Sequence, residues 1–217
     1  MDRLTHTLDQ SIRVDRRRVL RGGAALAGAA AMLAAPAASR AAVEAPTLTL
    51  DVAADGGSFR LMRQNPTDPP GPPLLGDWFI FSGSIYPERT IDQGLTGPTQ
   101  AGSIGRWICR GVFLADLATL EPMHVAVITT VQFVLGDGLS ATAGSLGTAA
   151  DAIATEGFEP QPGLDVIRVI TGGHGRYAGA QGILTAAVRE ENDTLIQITP
   201  DFAAPAPSFT FVFTFQG

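Results

Sequence analysis

The sequence predicts an all-β fold: an eight-stranded antiparallel β-barrel, formed by a single domain that follows a cleaved signal segment. From Thr47 onward the apolar residues recur with a period of two rather than about 3.6, which is typical of strands. Gly, Pro and Asn-Asp groups separate these stretches as turns would. Eight or nine short strands in roughly 170 residues suggest a closed barrel or a sandwich. Closure is favoured because it removes exposed strand edges.

Nine segments rich in Val, Ile, Thr and Phe carry the strand pattern. They are residues 47–53, 77–86, 104–116, 124–135, 139–146, 166–171, 181–188, 194–199 and 208–215. Residues 151–163, which include Pro160 and Pro162, are predicted to form a loop rather than a strand. Asn192-Asp193 is predicted to form a turn that ends a charged hairpin.

Residues 1–41 have the features of an export signal. Arg16-Arg17-Arg18 precedes a weakly hydrophobic Ala/Gly-rich stretch at 22–38, and Ser39-Arg40-Ala41 has the small-x-small pattern of a cleavage site. Adjacent arginines indicate the twin-arginine route for folded proteins, so we expect cleavage after Ala41, a barrel domain at 42–217, and a periplasmic or extracellular location. The alternative is a retained anchor, but the apolar stretch is shorter than the ~20 residues that a membrane span needs.

Charge and cysteine content narrow the range of partners. All fifteen basic residues are arginine and seven precede Ala42, which leaves 8 basic against 18 acidic residues in the remainder, a net charge of about −10. Such a surface repels phosphate backbones and anionic lipids, so we expect no nucleic acid partner and no stable membrane insertion after cleavage. Residues 42–217 contain two histidines, His124 and His174, and one cysteine, Cys109, so we expect no metal and no cofactor. Cys109 also has no partner for an internal disulfide.

Five motifs follow one another between Leu75 and Phe215. They are LGDWFIF at 75–81, GRWIC at 105–109, FVLGDGLS at 133–140, TGGHGRYAGAQG at 171–182 and FTFVFTF at 209–215. By their order these motifs resemble the superfamily of allene oxide cyclase and dirigent barrels. The resemblance implies an eight-stranded antiparallel barrel with an apolar pocket in its lumen, commonly assembled as a homotrimer.

The resemblance also implies a catalytic set in the plant allene oxide cyclases: a glutamate and an asparagine on the first strand, an asparagine on the second and a cysteine on the third. Cys109 matches the cysteine, and Gly83 stands at the second-strand asparagine. One register sets Asp51 at the glutamate and the next sets Leu50 there. Asp51 and Cys109 are therefore the candidate catalytic residues, with a carboxylate that balances developing positive charge or assists epoxide opening. The paired aspartates of dirigent proteins are replaced by Ser82-Gly83-Ser84.

Aromatic side chains are the candidate ligand-binding residues of the lumen: Phe79, Phe81, Trp107, Phe113 and Phe133. Each of them could instead be plain core. Cys109 could likewise be a buried small hydrophobe, and Asp51 could lie at the surface.

The first functional hypothesis is an exported isomerase or cyclase that confines a small hydrophobic, oxygen-bearing molecule in the lumen. The alternatives are a non-catalytic barrel that binds an apolar ligand or guides the stereochemistry of a coupling reaction, and a structural secreted trimer with a packed lumen. An ionisable group that faces the lumen would favour catalysis over mere binding, and an open space of ligand size would exclude the structural alternative.

Overall fold

The computed structural model describes residues 45–68, 71–116, 127–136, 151–199 and 202–216. The predicted export signal and the predicted strand at 139–146 lie outside the described residues. The described residues belong to one compact unit, Val43–Gly217. Within them, no helix has the length and hydropathy to cross a membrane.

Among the described residues, nine antiparallel strands form one sheet in the order β1-β9-β8-β7-β6-β5-β4-β3-β2. Because β1 pairs with both β9 and β3, the sheet closes, and β2 is an extra strand beside β3. The predicted eight-stranded antiparallel barrel is confirmed. The strands are β1 (Thr47–Ala54), β2 (Arg60–Met62), β3 (Trp78–Pro87), β4 (Gly105–Phe113), β5 (Val127–Leu135), β6 (Asp151–Phe158), β7 (Val166–His174), β8 (Gly182–Thr199) and β9 (Phe202–Phe215).

Strand register identifies the side chains that face the lumen. Residues directly opposite each other in an antiparallel pair point to the same face. Phe81 lies opposite Cys109 and Cys109 opposite Val131, and all three are buried in the main hydrophobic core. The same alternation places Arg168 beside Leu184 on the inner face. The core of the protein is therefore the barrel lumen itself.

The prediction of a loop at 151–163 was wrong in its first part. Residues Asp151–Phe158 form β6, which pairs with β5 along its length and with β7 on its other side. Ala and Gly disfavour strands when taken alone, so the local sequence gave a weak signal. Pairing on both sides outweighs that preference, and only the part from Glu159 onward connects β6 to β7.

The predicted turn at Asn192-Asp193 was also wrong. β8 runs without interruption from Gly182 to Thr199, and its register with β9 shifts between Glu191 and Leu195. The Asn192 side chain donates from Nδ2 to the carbonyl of Ala54 at 2.9 Å. Asn192 therefore satisfies backbone groups at a bulge, where the sequence alone indicated a turn.

Candidate functional site

A continuous aromatic column fills the lumen from one end to the other. Successive ring pairs have centroids 4.9–6.1 Å apart and connect Tyr177, Phe215, Phe213, Phe133, Phe211, Phe209, Trp107, Phe81, Phe59, Phe79 and Phe113. In the middle of the column, Trp107, Phe133 and Phe213 have no exposed surface. The centre of the barrel is therefore packed solid, and a ligand meets the lumen at its two ends.

Polar side chains gather at the end of the lumen where β6 finishes. We call Cys109, Thr129, Glu159 and Arg168 the Glu159 cluster. The Cys109 Sγ lies 3.6 Å from the Glu159 Oε2. Glu159 directly follows β6, and its backbone N–H donates to the carbonyl of Val127 at 3.1 Å, which fixes where its side chain begins. Two strand ends thus hold a carboxyl group inside an apolar barrel.

Arg168 is a buried cation of this cluster, with only 1 % of its surface exposed. Its Nη1 donates to the Thr129 hydroxyl at 2.7 Å and to the Phe158 carbonyl at 2.6 Å, and its Nη2 donates to the Thr129 carbonyl at 2.8 Å. A Cβ at Gly157 would stand 3.0 Å from the Arg168 Cγ, so glycine leaves room for the arginine stem. Among the described residues no carboxylate is within ion-pair distance of Arg168.

Burial controls protonation in the Glu159 cluster. It raises the pKa of the Glu159 carboxyl, and the attraction of Arg168 together with a hydrogen bond from Thr129 only partly opposes the rise. Burial, followed by the neighbouring Glu159, raises the pKa of the Cys109 thiol well above its ordinary value. Cys109 therefore stays a thiol that donates to Glu159, and the Glu159 carboxyl is biased toward its neutral acid form.

Exposure distinguishes Glu159 from the other members of the cluster. Cys109, Thr129 and Arg168 are at most 1 % exposed, whereas Glu159 is partly exposed. A carboxyl group that is desolvated and still reachable has the properties of a general acid. Glu159 is the member of the cluster that a bound molecule can touch.

Three of the five candidate ligand-binding aromatics lie at the same end as the cluster. Phe81 is the cross-strand neighbour of Cys109, and the Phe79 and Phe113 rings are 5.6 Å apart. The Phe79 ring occupies the space that a side chain at position 111 would need, so Gly111 admits it. The other two candidates, Trp107 and Phe133, lie in the packed centre of the column.

The structure does not bring Asp51 and Cys109 together. Asp51 shares a face with its cross-strand neighbours Tyr86 and Thr210, which is the outer face of the barrel. Its Oδ2 accepts the Ile91 N–H at 3.0 Å and its Oδ1 accepts the Thr210 hydroxyl at 2.8 Å. Asp51 is only 1 % exposed because residues 88–104 cover it from outside. In this position the carboxylate anchors the covering segment to the barrel.

The opposite end of the lumen is open and differently built. A cavity of about 560 Å³ is lined by residues of β1, of the β7–β8 connection and of the end of β9. Tyr177 stacks on Phe215 with ring centroids 5.7 Å apart, and the Arg176 guanidinium carbon lies 5.7 Å from the centre of the Tyr177 ring. We call this cavity the Tyr177 pocket.

Sequence reasoning missed Glu159, Thr129 and Arg168. Glu159 lay in the predicted loop, where its direction is undetermined without the position of β6. Arg168 did carry a signal, because it alternates with Val166 and Ile170 on one face of an apolar strand. Within the described parts of the chain, no three His, Cys, Asp or Glu side chains are arranged to hold a metal ion.

Comparison with known proteins supports the architecture. No protein-family model matches the sequence, and no curated protein matches it significantly. Among solved structures, a pterocarpan synthase dirigent protein, PsPTS1, is similar with a TM-score of 0.51 and 10% identity, over 81% of this chain and 98% of that chain. The chain therefore shares the barrel fold of that dirigent protein.

Two further solved structures are similar at lower scores. A pyocyanin demethylase has a TM-score of 0.46 and 19% identity, over 79% of this chain and 100% of that chain. A nonspecific heme-binding cyclase of neoabyssomicin biosynthesis has a TM-score of 0.37 and 14% identity, over 80% of this chain and 69% of that chain.

Proposed function

We propose that this chain is an exported isomerase or cyclase, which binds a small hydrophobic, oxygen-bearing molecule at the Glu159 end of its barrel. The observation that carries the proposal is the Glu159 carboxyl: it is desolvated, partly exposed and held beside a buried arginine in an apolar lumen. Such a group has no evident role in packing, because burying a carboxyl among apolar side chains costs free energy. Its surroundings match those of a general acid.

The chemistry follows from the protonation states. The protonated form of the Glu159 carboxyl, which its raised pKa favours, donates its proton to an epoxide or carbonyl oxygen of the bound molecule, and the substrate then rearranges or closes a ring. Arg168 and the Thr129 hydroxyl stabilise the carboxylate that remains, which lowers the energy of the charge-separated state. The carboxylate then takes a proton back from the intermediate, from its hydroxyl group when the product is a ketone. No proton is consumed, so the net reaction is an isomerisation.

Cyclisation of an unsaturated epoxide, the allene oxide cyclase reaction, is the form of this chemistry that we propose first. In this proposal Cys109 is a thiol that donates to Glu159 and orients it, and Phe79, Phe81 and Phe113 shape the apolar wall around the substrate. Asp51 has no part in it, because its carboxylate is used on the outer face. Confinement of a reactive substrate supplies much of the rate, so one acid group is sufficient.

A second candidate is a non-catalytic, dirigent-like barrel that fixes the conformation of a reactive molecule. The solidly packed centre favours this alternative, since it leaves a bound molecule in contact with the end of the lumen rather than enclosed within it. In that case the walls would determine the stereochemistry of the product, and Glu159 would be dispensable.

Turnover of a panel of hydrophobic unsaturated epoxides tests both candidates. The assay measures the rate of isomer formation and the enantiomeric excess of the product by chiral chromatography, for the wild type and for Glu159→Gln. Glu156→Gln is the matched control, because Glu156 is the exposed acid nearest along β6. For a cyclase, we expect the rate to fall about 100-fold or more in Glu159→Gln alone.

Each other outcome has a defined meaning. The wild type could give an enantiomeric excess without accelerating the reaction, and Glu159→Gln could give the same excess. This result would support the dirigent-like alternative. Neither acceleration nor enantiomeric excess with any epoxide, together with no detectable binding at the Glu159 end, would leave only the structural trimer.

We also propose that the barrel assembles as a homotrimer. A cross-strand row on its outer face, Trp78, Val112, Ile128 and Phe158, joins four strands, and three of these side chains are 41–57% exposed. Contiguous exposed apolar surface of this kind is typical of protein interfaces. Native mass spectrometry should show three copies, and Val112→Asp should shift the mass to one copy. A wild-type monomer would contradict the proposal.

A further inference from the structure

The Tyr177 pocket has features of a binding site that the chemistry at the Glu159 end leaves unexplained. Its volume of about 560 Å³ lies within the usual range for small-molecule sites. It lies at the opposite end of the lumen, behind the packed centre of the aromatic column. A molecule held here therefore cannot reach Glu159 without repacking the core.

The floor of the pocket presents flat aromatic faces. Tyr177 and Phe215 are stacked with an interplanar angle of 21°, and Phe215 and Phe213 with an angle of 9°. Deeper in the column, Phe133 meets Phe211 and Phe213 edge to face, at 78° and 84°. Near-parallel rings at an open end allow a planar ring system to stack offset against them.

The described lining of the pocket contains one charged side chain, Arg176, and no acidic one. The Arg176 side chain is 74% exposed and pairs with Asp151, so its charge is partly compensated. A guanidinium held in this way through Nε can still donate from its Nη groups to an anion.

Asp151 orients the arginine without using all its donors. The Asp151 carboxylate accepts the Arg176 backbone N–H at 2.8 Å and the Arg176 Nε–H. Within the described residues, the two terminal Nη groups have no hydrogen-bond partner. The Asp151 contact holds the guanidinium carbon 5.7 Å from the centre of the Tyr177 ring, and its two terminal Nη groups can donate two parallel hydrogen bonds to a carboxylate.

We infer that the Tyr177 pocket is a second binding site, specific for a planar aromatic anion such as an arene carboxylate. The ring system stacks on Tyr177, the end ring of the series Phe213, Phe215 and Tyr177, and the anionic group accepts hydrogen bonds from the Arg176 Nη atoms. The inference stands apart from the proposed catalysis, because the two ends share no side chain.

Calorimetric titration with three probes tests this inference. The probes are β-naphthoate, its uncharged methyl ester, and the saturated decalin carboxylate, which keeps the charge and loses the flat ring. We expect β-naphthoate to bind more tightly than either analogue. Arg176→Gln should weaken β-naphthoate about 10-fold and change the ester less than about 2-fold, whereas Tyr177→Leu should weaken both.

Two control variants distinguish this site from other sources of binding. Arg189→Gln removes another exposed arginine, which pairs with Asp92, and should leave all three affinities unchanged. Glu159→Gln should also leave them unchanged, even if it abolishes turnover at the other end. The inference is overturned if β-naphthoate shows no saturable binding up to about 10 mM. It is equally overturned if Arg176→Gln and Arg189→Gln have the same effect, or if Glu159→Gln removes the binding.

Discussion

The two ends of the lumen each combine an arginine with an acidic residue, yet the pKa values of the two acidic residues are shifted in opposite directions. At one end Arg168 is 1 % exposed and is held by Thr129 and by the carbonyl of Phe158. At the other end Arg176 is 74% exposed and pairs directly with Asp151. Burial raises the pKa of Glu159, whereas hydrogen bonds from Arg176 lower the pKa of Asp151. The same residue types thus give a carboxyl group with a raised pKa at the buried end and one with a lowered pKa at the open end.

This difference shows that access to solvent determines how an arginine and a carboxyl group behave at each end of one barrel. Desolvation raises the pKa of a carboxyl group and so favours its protonated form, which is the form that a general acid needs. A hydrated ion pair contributes little to stability but leaves its arginine accessible, so the Tyr177 pocket is suited to binding. The packed aromatic centre keeps the two environments apart.

The largest expected effect is on stability when each arginine is removed in turn. Arg168→Met deletes the donors that satisfy the carbonyls of Thr129 and Phe158 in the interior, and should lower the free energy of unfolding by about 3–5 kcal/mol. Arg176→Met, its counterpart at the open end, should cause little measurable change. Urea denaturation followed by circular dichroism measures both.

If Arg168→Met does not fold, Arg168→Lys provides the second measurement. Lysine keeps the charge but loses the planar set of donors, so this variant should fold with a reduced free energy of unfolding. Equal effects at the two ends would contradict the comparison, because they would show that Arg168 is no more than a surface charge.

The barrel itself was predictable because its signals are local and repeated. Alternating apolar residues determine most strands, and turn residues separate them. The strand β6 was not predicted because Ala152, Ala154 and Gly157 have low strand preference. Its structure depends on pairing with β5 and β7. Asn192 was misread because an Asn-Asp pair fits a turn and a bulge equally well.

The candidate site was less predictable, since it depends on direction as well as on residue type. Cys109 was found on the inner face, but a shift of one residue in register determines whether a strand carboxylate faces inward, and Asp51 faces outward. Glu159 and Cys109 are 50 positions apart in the chain and meet only in the folded barrel. Neither composition nor local spacing contains that contact.

A smaller expected effect is that Glu159 and Asp151 change the free energy of unfolding with pH in opposite directions. Because Glu159 has a folded pKa above its ordinary 4.5, its contribution to stability is complete below pH 4.5 and is lost as the pH rises through the folded pKa. Asp151 has a folded pKa below its ordinary 3.8, so its contribution is present above pH 3.8 and is lost as the pH falls through the folded value.

Two single variants measure these opposite slopes. We expect Glu159→Gln to reduce the decline of stability with rising pH, and Asp151→Asn to reduce slightly the loss at low pH, to which Asp77 also contributes. Unfolding free energies between about pH 3 and pH 8 give both curves. If both substitutions changed the pH slope of the unfolding free energy in the same direction, burial would not distinguish the two ends.

The smallest expected effect is the reactivity of the only cysteine in the chain. Cys109 has no exposed surface, and burial raises its pKa well above the ordinary value, so almost none of it is thiolate at neutral pH. Native protein should therefore resist iodoacetamide, and the same protein unfolded in urea should take up one label per chain, as measured by intact mass. Rapid labelling of the folded protein would mean that the Glu159 end holds a reactive nucleophile. Glu159 would then act as the base of that thiolate rather than as an acid toward the substrate.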